Sequence, residues 1–171
     1  MSDDHESRLW YFAYGSNLND SIFLERRQMH PLAVRWGWLE EYRLTFNIPM
    51  GPGERGVANI EATPGARTYG ALYLLTAEEF DRLDHTEGVK IGIYRRLPVE
   101  AVTPNDDRVA AFAYQSSLTT AGRKPSPRYM NLLVEGALRH GLPGAYVAFL
   151  KSFELAIDER LREDPGDAFR P

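Results

Sequence analysis

Apolar and polar positions along the chain switch period several times. Leu9 to Tyr14 is an aromatic-rich apolar run, which suits a pleated strand. It stops at Gly15-Ser16-Asn17, which is turn chemistry. Asp20 is placed to cap a short helix carrying Ile22, Phe23 and Leu24, ending before Pro31. Val34 to Ile48 reads as extended, as one strand or two. Val57 to Glu61 and Thr68 to Leu75 read as two more strands, joined as a hairpin by the turn signal Thr63-Pro64-Gly65-Ala66. Thr76 and Glu79 have capping-box spacing, and Leu75 and Phe80 sit where a hydrophobic staple closes. A helix is therefore expected from Thr76, with Phe80 and Leu83 inward and Gly88 at its end. Ile93 to Val102 and Val109 to Tyr114 form a second hairpin around Pro104-Asn105-Asp106. Ser126-Pro127 is an N-cap followed by proline at the first helical position. Met130, Leu133, Val134 and Ala137 then recur at helical spacing as far as Gly141. Pro143 opens a last helix to about Phe153.

Six or seven strands with helices between and after them make an α+β domain. Short turns favour antiparallel pairing. The expected product is a small mixed, largely antiparallel sheet, barrel-like, with flanking helices. Its boundaries are a flexible arm at 1–8, one domain at 9–155, and a charged tail at 156–171, where Pro165 and Gly166 break any helix.

Composition narrows the function. The 171 residues are enough for one domain with a proper core. A net charge of -4 gives no electrostatic footprint for nucleic acid. No apolar run is long enough to cross a membrane. Met1 to Arg8 is polar with both signs of charge, unlike a signal peptide. A cytoplasmic location is the default expectation. The chain has no cysteine, which removes disulfides, zinc–thiolate sites and a thiol nucleophile. His5, His30, His85 and His140 show no metal-ligand spacing, so no metal is expected. There is no phosphate-binding loop or dinucleotide fingerprint.

Two segments can carry chemistry. Backbone N–H groups converging at Tyr14-Gly15-Ser16-Asn17 suit an anion or a polarised carbonyl. A plain turn with a left-handed glycine is the commoner reading of such a segment. Glu87 stands at a helix end before Gly88. There the helix dipole and partial desolvation both raise a carboxyl pKa toward the range of a general acid or base. Most glutamates so placed are merely solvated. Tyr129, at a helix start, is either a hydroxyl reaching a polar group or a core-edge residue. Trp10, Trp36 and Trp38 read as core, since basic residues do not alternate with them.

Taken in order, these segments resemble the gamma-glutamyl cyclotransferase (AIG2-like) family. Tyr11-Phe12-Ala13-Tyr14-Gly15-Ser16-Asn17-Leu18 looks like its N-terminal substrate loop. Gly56-Val57-Ala58-Asn59-Ile60, Pro64-Gly65 and Tyr69-Gly70-Ala71-Leu72-Tyr73 resemble its central strands. Glu87-Gly88-Val89 with Gly92 and Tyr94 looks like the segment bearing its catalytic glutamate. Ala113-Tyr114, Pro125-Ser126-Pro127-Arg128-Tyr129 and Gly141-Leu142-Pro143 follow. Coverage runs from about Trp10 to Phe153.

The resemblance implies a mixed-strand barrel that converts a gamma-glutamyl compound into 5-oxoproline and a free amine. It implies Glu87 as acid/base, and Tyr11, Phe12, Ala13, Tyr14, Gly15, Ser16, Asn17 and Tyr129 around the substrate. No cofactor is implied. The partner is a small gamma-glutamyl molecule, and a homodimer stays open. Relatives differ in the leaving amine. Its side of the pocket is assigned to Asn47–Arg55 and Leu118–Lys124, where Arg123 or Lys124 is a candidate anion contact and a solvated basic loop the commoner reading. Two other readings stand beside the enzyme. One is a non-catalytic small-ligand module on the same scaffold. The other is an interaction domain displaying Trp36 and Trp38.

Overall fold

The aromatic run near the N-terminus is paired on both sides, and this closes the sheet. The computed structural model describes residues 7–157. The expected arm and tail therefore lie almost wholly outside the described residues. Five strands, β1 (Arg8–Ala13), β2 (Ala33–Pro49), β3 (Gly56–Thr76), β4 (Arg95–Val102) and β5 (Arg108–Gln115), form a closed barrel in the order β1-β3-β2-β4-β5. All neighbouring pairs are antiparallel except β1 with β5, which is parallel, with Tyr11 beside Phe112. Three helices flank it: α1 (Ala77–Thr86), α2 (Pro127–His140) and α3 (Gly144–Lys151). Among the described residues no helix is long and apolar enough to cross a membrane.

Among the described residues the strands number five rather than six or seven, because β2 and β3 are long and irregular. Val57–Glu61 and Thr68–Leu75 do not pair with each other as a hairpin; both halves pair with β2. Between the pairs Glu40–Arg67 and Tyr42–Ala62, the single residue Glu41 faces Thr63-Pro64-Gly65-Ala66. The expected turn is thus a bulge within one strand. Glu41 takes φ +65°, and its carboxylate accepts the Gly65 N–H at 2.7 Å.

A second bulge lies nearer the strand ends. Phe46 and Asn47 together face Ala58, which has no cross-strand partner. Like Gly56 and Ile60 on the same strand, Ala58 turns its backbone groups away from β2: its N–H donates to the Tyr129 hydroxyl oxygen at 3.0 Å, and its carbonyl accepts from the Tyr94 hydroxyl at 2.9 Å.

Both expected helix starts are present. Thr76 accepts the Glu79 N–H at 3.2 Å, and Ser126 accepts the Tyr129 N–H at 3.1 Å with Pro127 next. Glycines in the left-handed region, Gly88 and Gly141, follow α1 and α2. The early helix differs from expectation. Ser21–Arg26 is a π-helical turn in which the Arg27 N–H reaches the Ile22 carbonyl. Asp20 makes no side-chain cap there; the Asn19 side chain accepts from Ser21 N–H at 3.0 Å and Ser21 Oγ at 2.6 Å instead.

The core gathers Phe12, Phe23, Leu72, Tyr73, Phe80 and Leu133, all essentially inaccessible, with Phe23 stacked on Tyr73 at 4.1 Å between centroids. Trp36 and Trp38 are half-buried beside Tyr69, and the Arg67 guanidinium lies 5.1 Å from the Trp38 ring centroid. They are not the displayed face that the interaction-domain reading required.

Helix α2 meets the turn after β1 at Gly136. A β-carbon there would stand 2.6 Å from the Leu18 backbone. Gly136→Ala is expected to lower unfolding free energy by about 1–3 kcal/mol through overpacking, as measured by chemical denaturation. The control Gly144→Ala, which adds a methyl in open space, should change stability little.

Candidate active site

A cavity of about 540 Å³ opens at the end of the barrel where the second bulge lies. Ser16, Arg27, Glu87, Tyr94 and Tyr129 line it, together with Ile48, Pro49, Met50, Arg55 and Val57 from the β2–β3 connection and its flanks.

Glu87 reaches it from the C-cap of α1, its side chain 14% exposed. The last turn of α1 is anchored to the barrel wall. Asp84 accepts from Arg96 Nε at 2.8 Å and from the Tyr114 hydroxyl at 2.6 Å. The Arg96 guanidinium lies 4.0 Å from the Phe80 ring centroid, on the same helix. Gly88, at φ +68°, turns the chain away just after the carboxylate.

The turn after β1 brings a donor to that carboxylate. Asn17 Nδ2 donates to Glu87 Oε1 at 3.1 Å and to the Tyr11 hydroxyl oxygen at 2.8 Å. Arg27 Nε donates to Asn17 Oδ1 at 2.7 Å, and Arg27 Nη2 is 3.8 Å from Glu87 Oε1. The turn itself is held from behind. Tyr73 donates to the Asn17 carbonyl at 2.9 Å, and His140 Nε2 lies 3.1 Å from the Leu18 carbonyl oxygen. That second contact assigns the proton of His140 to Nε2.

Burial raises the Glu87 pKa above the ordinary carboxylate range; the Arg27 charge and the Asn17 hydrogen bond oppose this, and Asp84 adds to it. Burial likewise pushes the Tyr129 phenol up to about 12, with the Ala58 N–H opposing. Its oxygen accepts the Ala58 N–H, so its own proton remains a donor. The cavity thus holds a desolvated carboxyl beside a neutral phenol donor, a pairing suited to proton transfer next to a polarised oxygen.

The structure brings Ser16, Asn17, Glu87 and Tyr129 together, with Tyr11 one hydrogen bond behind Asn17. Gly15 packs against Tyr129: a β-carbon there would lie 3.2 Å from both its hydroxyl and the Ala58 β-carbon. Its φ is −105°, so it is close approach, not a left-handed turn, that favours glycine here. Phe12 and Ala13 lie wholly in the core, and Tyr14 donates to the Tyr114 carbonyl; none of the three lines the cavity.

Arg27 and Tyr94 also line the cavity, and their sequence pattern alone does not assign them to it. Tyr94 was visible as an aromatic just past Gly92. Arg27 follows Arg26 at the end of a short apolar turn, and nothing in that pattern points it inward. Of the expected leaving-group segments, Ile48, Pro49, Met50 and Arg55 line the cavity, but Arg123 and Lys124 do not. Arg123 Nη1 donates to the Gly51 and Arg55 carbonyls, both at 3.1 Å, and so braces the β2–β3 connection. Lys124 pairs with Glu154 at 3.0 Å.

The raised pKa of Glu87 has a stability consequence. A carboxyl with a higher pKa folded than unfolded costs stability as pH rises, and the full penalty is present above the folded value. Glu87→Gln, which keeps an acceptor for Asn17, is expected to unfold at a higher temperature than the wild type at alkaline pH. Each unit of the shift contributes about 1.4 kcal/mol. The difference should vanish below the unfolded carboxylate pKa of about 4.3, and paired thermal melts across pH measure it.

Residues 67–150 match the AIG2-like family. A gamma-glutamylcyclotransferase from Bos taurus is 34% identical over 160 residues, spanning 90% of this chain and 82% of that protein. One from Homo sapiens is 31% identical over 156 residues, spanning 88% of this chain and 81% of its own length. A solved gamma-glutamyl cyclotransferase structure superposes with a TM-score of 0.78 at 26% identity, covering 91% of this chain and 96% of that one. With the superposable fold and the sequence similarity over nearly the whole length in agreement, the chain belongs to the gamma-glutamylcyclotransferase family.

Proposed function

We propose that the cavity closes a gamma-glutamyl compound into 5-oxoproline and releases a free amine, with Glu87 moving the protons. The carrying observation is the desolvated Glu87 carboxyl, fixed by Asn17 and Arg27 in a cavity that also holds the Tyr129 hydroxyl.

The steps balance without an external reactant. The substrate's α-amine is its own nucleophile. Glu87 takes a proton from it, and the amine nitrogen attacks the γ-carbonyl carbon, forming the ring C–N bond. The old amide C–N bond then breaks as Glu87 returns the proton to the departing nitrogen. One carboxyl serves as base and then acid, a role that favours a pKa raised toward neutrality. The chemistry requires no covalent enzyme intermediate, so a chain without cysteine can perform it.

The oxyanion of the tetrahedral intermediate is assigned to the backbone at Gly15-Ser16 and the Tyr129 hydroxyl. Losing one such donor typically costs about 2.7–4 kcal/mol. Folding the substrate for ring closure adds an orientation gain. Tyr11, Phe12, Ala13 and Tyr14 act from behind, keeping the turn at one height above the barrel. The leaving amine occupies the part of the cavity lined by Ile48, Pro49, Met50 and Arg55.

The test is mass-spectrometric detection of 5-oxoproline from a panel of gamma-glutamyl dipeptides and gamma-glutamyl amines. The wild type is expected to release it, and Glu87→Gln to lose about 10²–10⁴-fold in rate. Folded wild type that binds these compounds without releasing oxoproline would instead support a ligand-binding module on the same scaffold.

A further inference from the structure

Asn17 presents a chemical choice at the carboxylate. An amide side chain offers an acceptor at one end and two donors at the other, and the two ends are nearly isosteric. Turned one way, Asn17 donates to Glu87 and favours the ionised form. Turned the other, it places an oxygen against the carboxyl and favours the protonated form, which alone has a hydrogen to give. Which way it faces is fixed by a third group. Arg27 Nε–H can only donate, so at 2.7 Å it requires the oxygen end of the amide, Oδ1. The nitrogen end is then left for Glu87 Oε1 at 3.1 Å and the Tyr11 hydroxyl at 2.8 Å. The Arg27 guanidinium also stands 3.8 Å from the same carboxylate oxygen.

We propose that Arg27 is a positioning residue that keeps Glu87 in its proton-accepting form, by fixing which end of the Asn17 amide faces it and by standing as its counter-charge. This rests on Glu87 acting as the acid/base. The π-helical turn is part of the device. Its wide closure, from Arg27 N–H back to the Ile22 carbonyl, is the local geometry that presents Arg27 to Asn17.

The other groups acting on Glu87 do not substitute for Arg27. Tyr11 from β1, Tyr14 after it, Tyr94 before β4, Tyr114 from β5 and Tyr129 from α2 are all held above the ordinary phenol range by burial, and stay neutral through the working pH range. Asp84, on the same helix, is engaged by Arg96 at 2.8 Å. Arg26 and Arg55 also line the cavity. Arg27 stands as an ion-pair partner of Glu87, with Nη2 3.8 Å from Oε1.

The experiment compares wild type with Arg27→Gln and Arg27→Lys by two readouts. The first is the pH profile of kcat/KM for oxoproline release, from mildly acidic to mildly alkaline pH. The second is a carbon-NMR titration of the Glu87 side-chain carboxyl in ligand-free protein. Removing the guanidinium is expected to move the acid limb and the NMR midpoint upward together by about one pH unit, the low end for an opposite charge this close. Arg27→Lys keeps the charge but not the planar Nε donor, and should move both in the same direction by less. If both stay at their wild-type values, the proposal is overturned, however much rate is lost, because a purely structural or substrate-binding role lowers the plateau without moving the limb. Should Arg27→Gln fail to fold, Arg27→Lys decides by the same criterion. Absence of oxoproline from the wild type would overturn the function reading instead, with the NMR titration still testing Arg27.

Discussion

The hydrogen bond from Asn17 to Glu87 joins two segments 70 residues apart, and most of the site's architecture serves it. A carboxylate taken out of water strongly prefers to be neutral unless donors replace the lost hydration. Here the donors come from the turn after β1, so that turn has to sit at one height over the barrel. Tyr73 and His140 grip its carbonyls from below, and Gly136 lets α2 come against its backbone. On the other side, Asp84, Arg96 and Tyr114 fix the last turn of α1. Neither segment can shift without leaving a buried polar group under-bonded.

The barrel contributes backbone groups that face away from the β2–β3 ladder. Along β3 the backbone groups of Gly56, Ala58 and Ile60 all face away from β2, as the alternation of a strand dictates. Two tyrosines from different elements, Tyr129 and Tyr94, take up the Ala58 N–H and carbonyl. One of them, Tyr129, stands one residue beyond Arg128 in the first turn of α2, whose start is set by Ser126 and Pro127. A helix cap and a strand N–H together place a single hydroxyl.

Much of this was legible in the sequence where a feature is local. The caps at Thr76 and Ser126 and the stops at Gly88 and Gly141 depend on a few adjacent residues, and the sequence pattern places them close to their observed boundaries. The placement of Glu87 at a helix end followed from them. Features settled by distant pairing were not legible. Pro64-Gly65 signals a turn equally well in a hairpin and in a bulge, and only the identity of the neighbouring strand decides between them. Asn19 and Asp20 are both good capping residues, and the choice between them depends on the width of the turn that follows. Arg27 could not be found for the same reason. The family resemblance supplied the rest of the candidate set, and within it the cavity separates Ser16, Glu87 and Tyr129, which line it, from Phe12, Ala13 and Tyr14, which lie behind.

The four-residue excursion opposite Glu41 has a bearing on how such a chain tolerates change. Pro64 and Gly65 are exposed, and a side chain at Gly65 would meet nothing within 4 Å. The ladder resumes on both sides of the excursion. Added or lost residues would be absorbed there as a longer or shorter loop, leaving the pairing at Ala62 and Arg67 in phase. The excursion is a slack point in an otherwise register-locked sheet, and it marks where related chains can differ in length while keeping Ala58, and with it Tyr129, at the same height over the cavity.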